Sequence, residues 1–130
     1  MPTTISKLKK KLDKLFSEYI RRRNADHLGR VKCFTCGIEK HWKEQQAGHF
    51  QSRSHHSTRW DENGNVQVQC VKCNMFRQGE QYKFGLYLDE RYGKGTAEEL
   101  EQRAKTIVKI NRVDYEEAIT RYKQKIKDLD

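Results

Sequence analysis

The sequence has few hydrophobic residues and no long run of them. Only 35% of its 130 residues are hydrophobic, the same share that is charged, so we expect one modest domain, residues 1–130, whose core needs additional support. No stretch approaches the roughly 20 apolar residues of a membrane span. The first residues, MPTTISKLKKKLDK, lack the apolar segment of a secretory signal. We therefore expect a cytoplasmic protein that does not enter a membrane.

Acidic residues are also scarce relative to basic ones. The chain has 18 Asp and Glu against 27 Lys and Arg, a net charge of +9, and this excess favours an anionic partner. Residues 1–30 contribute +6 and residues 31–95 contribute +3, whereas residues 96–130 are neutral. A lysine-rich face that is merely solvated is the alternative. The candidate phosphate contacts in the first segment are Lys7, Lys10, Lys14, Arg21, Arg22 and Arg23.

The four cysteines form two C-x-x-C pairs. Cys33 and Cys36 make the first pair, Cys70 and Cys73 make the second, and 33 residues separate the pairs. Two such pairs supply the four thiolates of a tetrahedral zinc site, while a redox or free-thiol role is the alternative. A zinc ion with four thiolate ligands has no open position for water. The spacing therefore predicts a structural zinc site, and hydrolysis would need a second metal ion.

Hydrophobic periodicity predicts helices on both sides of a strand-rich segment. The first is amphipathic and is capped by Thr3 or Thr4, and Thr96 with Glu99 has the spacing of a capping box. The predicted elements are a helix within residues 1–30, strands within 45–53 and 65–70, and helices near 74–92, 96–108 and 111–127. The predicted core aromatic residues of the helix near 74–92 are Phe76, Tyr82, Phe84 and Tyr87.

One histidine and two asparagines stand at informative places around the cysteine pairs. His49 ends the first strand, Asn65 lies in the turn E-N-G-N, and Asn74 follows Cys73 directly. With the motifs C-F-T-C, A-G-H-F-Q-S-R, T-R-W-D, N-V-Q-V-Q-C and C-N, the chain resembles the HNH, or ββα-metal, nucleases. More narrowly, it resembles the phage NinG (Rap) recombination endonucleases. The resemblance is close over about residues 31 to 80 and weaker in the flanking helices.

The resemblance implies an α+β fold. A zinc-stapled, treble-clef-like ββα-metal module would occupy residues 31–92. The basic helix of residues 1–30 would precede this module, and the C-terminal helices of residues 93–130 would follow it. The resemblance also places the protein in the cytoplasm of a bacterial host, as the product of a phage or prophage.

The same resemblance implies a metal-dependent DNA endonuclease. His49 would be the general base that activates water, and Asn65 would fix the hairpin loop by hydrogen bonds. Asn74 would hold the catalytic ion, and its hard amide oxygen favours Mg²⁺ or Mn²⁺. Arg53 and Arg59 are our candidates for gripping the phosphate. The implied substrate is branched DNA, such as D-loops and Holliday junctions, and symmetric cutting of a junction would suit a homodimer.

Two departures from the family pattern leave alternatives open. Many relatives have Asp before the catalytic histidine, where Gly48 has no side chain to offer, and many have His at the position of Asn74. Either Asn74 is the single protein ligand, with phosphates and water completing the shell, or His55 or His56 supplies another. A non-catalytic zinc module that only binds nucleic acid is the alternative function.

Overall fold

The computed structural model describes residues 3–130, which form two small sheets and a set of helices. The strands are β1 (Arg30–Lys32), β2 (Glu39–His41), β3 (Gln45–His49) and β4 (Val66–Cys70), and the helices are α1 (Ile5–Arg22), α2 (His56–Arg59), α3 (Gln81–Tyr92), α4 (Thr96–Ala104) and α5 (Arg112–Lys127). Within residues 3–130 no helix is both long enough and apolar enough to cross a membrane. The predicted combination of helices with a small strand-rich part is confirmed.

Helices α1 and α5 pack against each other and against the strands. The Thr4 side chain caps α1 by accepting a hydrogen bond from the Lys7 N–H, and Asn111 caps α5 in a reciprocal capping box with Asp114. Their apolar faces meet in the main core, where the rings of Phe16 and Tyr122 lie edge to face, 5.2 Å apart. The main core therefore joins both ends of the chain to β1 and β4, which contribute valines to it.

Each sheet is an antiparallel pair of strands. In the first, Arg30 pairs with His41 and Lys32 with Glu39, so the first cysteine pair lies in the connection. In the second, Gln45 pairs with Cys70 and His49 with Val66. All five residues of β4 are buried, because α1 covers one face of the strand pair and the α3 region covers the other.

The predicted helix near residues 74–92 is interrupted. A π-helical turn spans Lys72–Phe76, a 3₁₀ turn spans Gln78–Glu80, and only α3 is a regular α-helix. The interruption lies at Gln78, Gly79 and Glu80, whose φ angles are 52°, 81° and 48°, because left-handed residues cannot continue a right-handed helix. We call Gln78–Glu80 the kink.

The kink changes the environment of the predicted core aromatic residues. Phe84 is fully buried, but Phe76 and Tyr82 are each 80% exposed and Tyr87 is 36% exposed. Placing all four in the core was therefore wrong, because the pattern was read along one continuous helix. Phe84 packs with Leu88 and Leu100 in a second, smaller core.

The predicted capping box at Thr96 does not form. The cap of α4 is Gly95, in the left-handed conformation, and the Thr96 hydroxyl donates to the Gly93 carbonyl instead. Helix α4 also ends at Ala104, four residues before the predicted end near Val108. The last helix begins and ends as predicted.

Candidate functional site

The four cysteine sulfurs lie in one cluster. Each Sγ lies within 4.8 Å of the other three, and the Sγ atoms of Cys36 and Cys70 are 3.7 Å apart. A tetrahedral zinc site with Zn–S bonds of about 2.3 Å has S–S edges of about 3.8 Å, so the cluster has the dimensions of such a site. Among residues 3–130 no other group of three or more His, Cys, Asp or Glu side chains is close enough to bind a metal. The predicted clustering is confirmed.

Backbone turns at the ends of β1 and β4 bring the sulfurs together. Gly37 has a φ of 80°, which lets the chain turn back so that its N–H donates to the Cys33 carbonyl at 2.9 Å. At the end of β4, the Cys73 N–H donates to the Cys70 sulfur at 3.4 Å. Each turn directs the two sulfurs of its own cysteine pair to the same side of the chain.

The electrostatics of the cluster also fit a cation. Burial raises the pKa of the Cys73 thiol to about 12. Burial acts in the same direction on Cys33, but hydrogen bonds from Thr35 and from backbone N–H groups outweigh it and lower the pKa of Cys33 to about 6. Four thiolates this close repel one another, and a divalent cation between them removes that repulsion. The donor set and spacing therefore fit Zn²⁺.

The His49 ring is held by a backbone carbonyl. Its Nε2 lies 2.9 Å from the Arg59 carbonyl oxygen. A carbonyl only accepts, so the neutral ring carries its proton on Nε2 and keeps a lone pair on Nδ1. Burial is the main effect that lowers the pKa of His49, and the hydrogen bond to Arg59 only partly offsets it. At neutral pH the ring is therefore uncharged and able to accept a proton at Nδ1.

Asn65 fastens the loop that positions His49. Its side chain is fully buried, and its Nδ2 donates to the carbonyls of Thr58 and Gln51 at 2.9 and 3.1 Å. Its Oδ1 accepts from the Gln51 N–H at 2.7 Å. One amide thus joins the chain just after His49 to the residue just before Arg59. The two ends of the His49–Arg59 hydrogen bond are held together by this loop.

Asp13 of α1 belongs to the same site. Its carboxylate accepts from Arg59 Nη2 at 2.5 Å, from Arg53 Nη2 at 2.7 Å and from Trp60 Nε1 at 3.0 Å. Burial acts to raise the pKa of Asp13, but the hydrogen bonds and charges of the two arginines outweigh it and lower the pKa. The side chain of Arg59 is only 12% exposed and that of Arg53 is 58% exposed. Arg53 is therefore the arginine that remains available to a ligand.

Asn74 lines a cleft between α1 and β3. The cleft has a volume of about 590 Å³, and its lining includes Arg21, Ala47, Arg53 and Asn74. Asn74 Nδ2 donates to Gln46 Oε1 at 2.7 Å, so its Oδ1 is the atom left to face a ligand. No hydrogen bond joins His49 to Asn74. Ala47 and His49 lie on the same face of β3, whereas Gln46, the partner of Asn74, lies on the other face. His49 does not line this cleft.

Gly48 is required by close packing. A Cβ at this position would lie 1.9 Å from Gln69 Oε1, and Gln69 is itself fixed by donating to Thr35 and to the Gly79 carbonyl. An aspartate does not fit here unless Gln69 moves. Neither His55 nor His56 hydrogen-bonds to Asn74, and the His56 ring instead lies 5.7 Å from the ring of Trp60.

The basic residues of α1 fall into two groups. Lys7, Lys10 and Lys14 are exposed on one side of the helix, and Arg21 on the same side lines the cleft and donates to the Trp42 carbonyl at 3.2 Å. Arg22 instead pairs with Glu18 and Asp130. Arg23 donates to the Glu62 carbonyl at 2.7 Å. Arg22 and Arg23 thus have structural partners within the protein, which the charge count did not reveal.

Comparison with known families identifies the chain. The family described as "Bacteriophage Lambda NinG protein" matches residues 3–130. The chain belongs to the NinG family. The resemblance to the NinG family inferred from the cysteine region is confirmed, and the match also includes α1 and α5, where that resemblance was weak. No curated protein and no solved structure matches this NinG chain significantly.

Asp13 is the member of the site that sequence reasoning missed. It is an acidic residue within a run of lysines, and it belongs to none of the motifs of the cysteine region. Its spacing from Leu12 and Phe16 places it at the border of the buried face of α1, which was the available signal. A partly buried carboxylate needs a cationic partner. Arg53 and Arg59, which were already candidate site residues, are cations that can fill that role.

Proposed function

We propose that this NinG protein is a metal-dependent DNA endonuclease of the HNH, or ββα-metal, type. The observation that supports this most is the setting of His49, with Nε2 held by the Arg59 carbonyl and Nδ1 left free as a base. The chain order adds support, because β3 and β4 form an antiparallel pair and the turn after β4 carries Asn74 in the cleft. Branched recombination intermediates, such as D-loops and Holliday junctions, are the proposed substrates.

In the proposed reaction, His49 activates the attacking water. Nδ1 accepts a proton from water, and the resulting hydroxide attacks the phosphorus of a phosphodiester. The bond from phosphorus to the 3′ oxygen breaks, leaving a 5′-phosphate, and the departing 3′ oxygen takes a proton from solvent water to become a 3′-hydroxyl. The imidazolium that forms is stabilised by the Arg59 carbonyl on Nε2, whereas the nearby charges of Arg53 and Asp13 act on it in opposite directions.

Asn74 is the residue proposed to hold the catalytic Mg²⁺ or Mn²⁺. Its Oδ1 is a hard oxygen ligand, which suits such an ion. Within residues 3–130 no N–H or O–H group donates a hydrogen bond to this oxygen, because the contact with Gln46 uses Nδ2. Because Gln69 fills the space beside Gly48, phosphate oxygens and water would supply the remaining ligands. The chemistry such an ion supplies when bound is neutralisation of the charge that develops on the phosphate and the leaving oxygen.

Basic side chains along α1 and the cleft are proposed to bind the DNA backbone. Arg53 and Arg21 line the cleft beside Asn74, and the exposed lysines of α1 extend the positive surface away from it. The four-cysteine cluster is proposed to hold a structural Zn²⁺ that fixes both strand pairs. The place of action would be the cytoplasm of a bacterial host, and a homodimer would present two active sites to a junction.

A cleavage assay with a matched histidine variant tests this proposal. Purified wild-type protein, H49A and H27A are incubated with labelled linear duplex and four-way junction, with and without Mg²⁺. His27 is an exposed histidine outside the site, so H27A should cut like the wild type. H49A should keep its zinc and its DNA affinity but cut at least about 10²-fold more slowly, the usual contribution of a general base.

Two results would contradict the proposal in different ways. Undiminished cleavage by H49A would remove His49 from the mechanism. If the wild-type protein cuts no substrate with any divalent ion but still binds DNA, the alternative of a non-catalytic nucleic-acid-binding module is favoured.

A further inference from the structure

Three apolar side chains are exposed on the segment that carries Asn74. Phe76 and Tyr82 are each 80% exposed and Met75 is 63% exposed. We call these three residues the exposed aromatic segment. These side chains lie within a span of eight residues, and exposed apolar patches on a protein surface mark sites of interaction. Their position beside a candidate metal ligand calls for an explanation.

The exposed aromatic segment is held in place by a buried hydrogen bond. Gln69 of β4 is fully buried and donates to the Gly79 carbonyl at 2.8 Å. This bond fastens the kink, whose three residues have positive φ angles. Non-glycine residues adopt that conformation only when their surroundings impose it. The rings on either side of the kink are therefore presented on a fixed support.

The same segment is attached to the strand of the candidate site. Gln46 of β3 accepts from Asn74 at 2.7 Å and donates to the Met75 sulfur at 3.6 Å. Gln46 lies three residues before His49 on that strand. The exposed aromatic segment thus begins at the edge of the cleft that holds Asn74.

We propose that the exposed aromatic segment binds unpaired bases of the DNA substrate by stacking. The inference rests on the proposed function, because it takes DNA as the ligand of the cleft. Aromatic side chains next to a basic groove are the usual means of holding bases that lack a stacking partner. Bases lose their partners where strands branch, so this contact would place the branch point beside Asn74.

The charges around the segment favour nucleic acid over a second copy of the protein. Lys72, Arg77 and Lys83 flank the exposed rings, and Glu80 is the one acidic residue between Lys72 and Lys83. A symmetric contact between two copies would bring these cations together. A DNA strand brings phosphates to the same positions.

The test compares binding to gapped and fully paired DNA of equal length, without added divalent ion. The variants are F76A/Y82A and, as a matched control, I107A, which removes an apolar side chain that is 95% exposed in the α4–α5 connection. We expect wild-type protein and I107A to prefer gapped DNA. F76A/Y82A should lose about 10-fold or more in affinity for gapped DNA, with the salt dependence unchanged because no charge is removed.

The outcomes separate this proposal from the proposed function, since binding is measured without cleavage. Loss of affinity for gapped DNA alone supports stacking, even if the protein never cuts. No loss, equal loss on paired DNA, or no preference by the wild type would overturn it while leaving the roles of His49 and Asn74 intact. A wild-type dimer in sedimentation that F76A/Y82A abolishes would assign the segment to self-association instead.

Discussion

At the scale of single residues, the pH dependence of cleavage should follow the His49 ring. Burial lowers the pKa of His49 below its ordinary value of 6.5. The neutral ring is the active form, so kcat/KM should rise with pH to a plateau, with a midpoint lower than 6.5. The measurement is kcat/KM against pH, with zinc content checked at each pH to separate base protonation from metal loss.

A midpoint at or above 6.5, with zinc retained, would contradict this assignment. The H27A variant serves as the control, because an exposed histidine outside the site should leave the profile unchanged. A profile shifted by H27A would mean that the assay reports something other than the base.

Sequence reasoning singles out a residue of the candidate site only where a motif marks it. His49, Asn65 and Asn74 have distinctive places relative to the cysteines, and the structure gives each a defined set of contacts. Asp13 had no such mark, because its partners Arg53 and Arg59 lie 40 and 46 residues away along the chain. Contacts of that range depend on how α1 packs against the strands, which local patterns do not describe.

At the scale of elements, the strand pairs should depend on the zinc cluster. Strands β1 and β2 have three residues each, too few for a stable two-stranded sheet by themselves. Replacing Cys73 by Ser should therefore abolish zinc binding and lower the unfolding temperature by about 10 °C or more, since a lost structural zinc costs several kcal/mol. Zinc content and thermal unfolding are the measurements.

C73H is the matched variant for this prediction. Imidazole replaces thiolate in many structural zinc sites, so C73H should retain more zinc and more stability than C73S. Equal, undiminished stability of the two variants would show that the cluster does not support the fold.

Element types were more predictable than their interruptions. The first and last helices follow from their apolar spacing and their caps, and both are found where expected. The kink was not foreseen, because Gln78 and Glu80 are ordinary helix formers. Their left-handed conformation accompanies the hydrogen bond from buried Gln69, a tertiary contact that overrides local preference. The exposure of Phe76 and Tyr82 follows from the same contact.

At the scale of the whole molecule, the excess of positive charge is unevenly distributed over the surface. Ion pairs and hydrogen bonds within the protein occupy Arg22, Arg23 and Arg59, and Arg21 donates to the Trp42 carbonyl. The exposed lysines of α1 remain, and they line up with Arg21 in the cleft. Part of the net charge of +9 therefore lies on an exposed side of α1 that leads to the cleft.

This arrangement predicts which lysines set the salt dependence of DNA binding. Replacing Lys7, Lys10 and Lys14 together by Gln should reduce the slope of log K against log salt concentration by about 0.9 for each DNA phosphate that these lysines neutralise. A matched triple variant replaces the exposed lysines Lys94, Lys109 and Lys127 and lowers the net charge equally. If the location of the charge matters, only the first variant changes the slope. Equal changes would show that DNA affinity depends on net charge alone. Two unchanged slopes would show that the lysines of α1 are solvated and do not contact DNA.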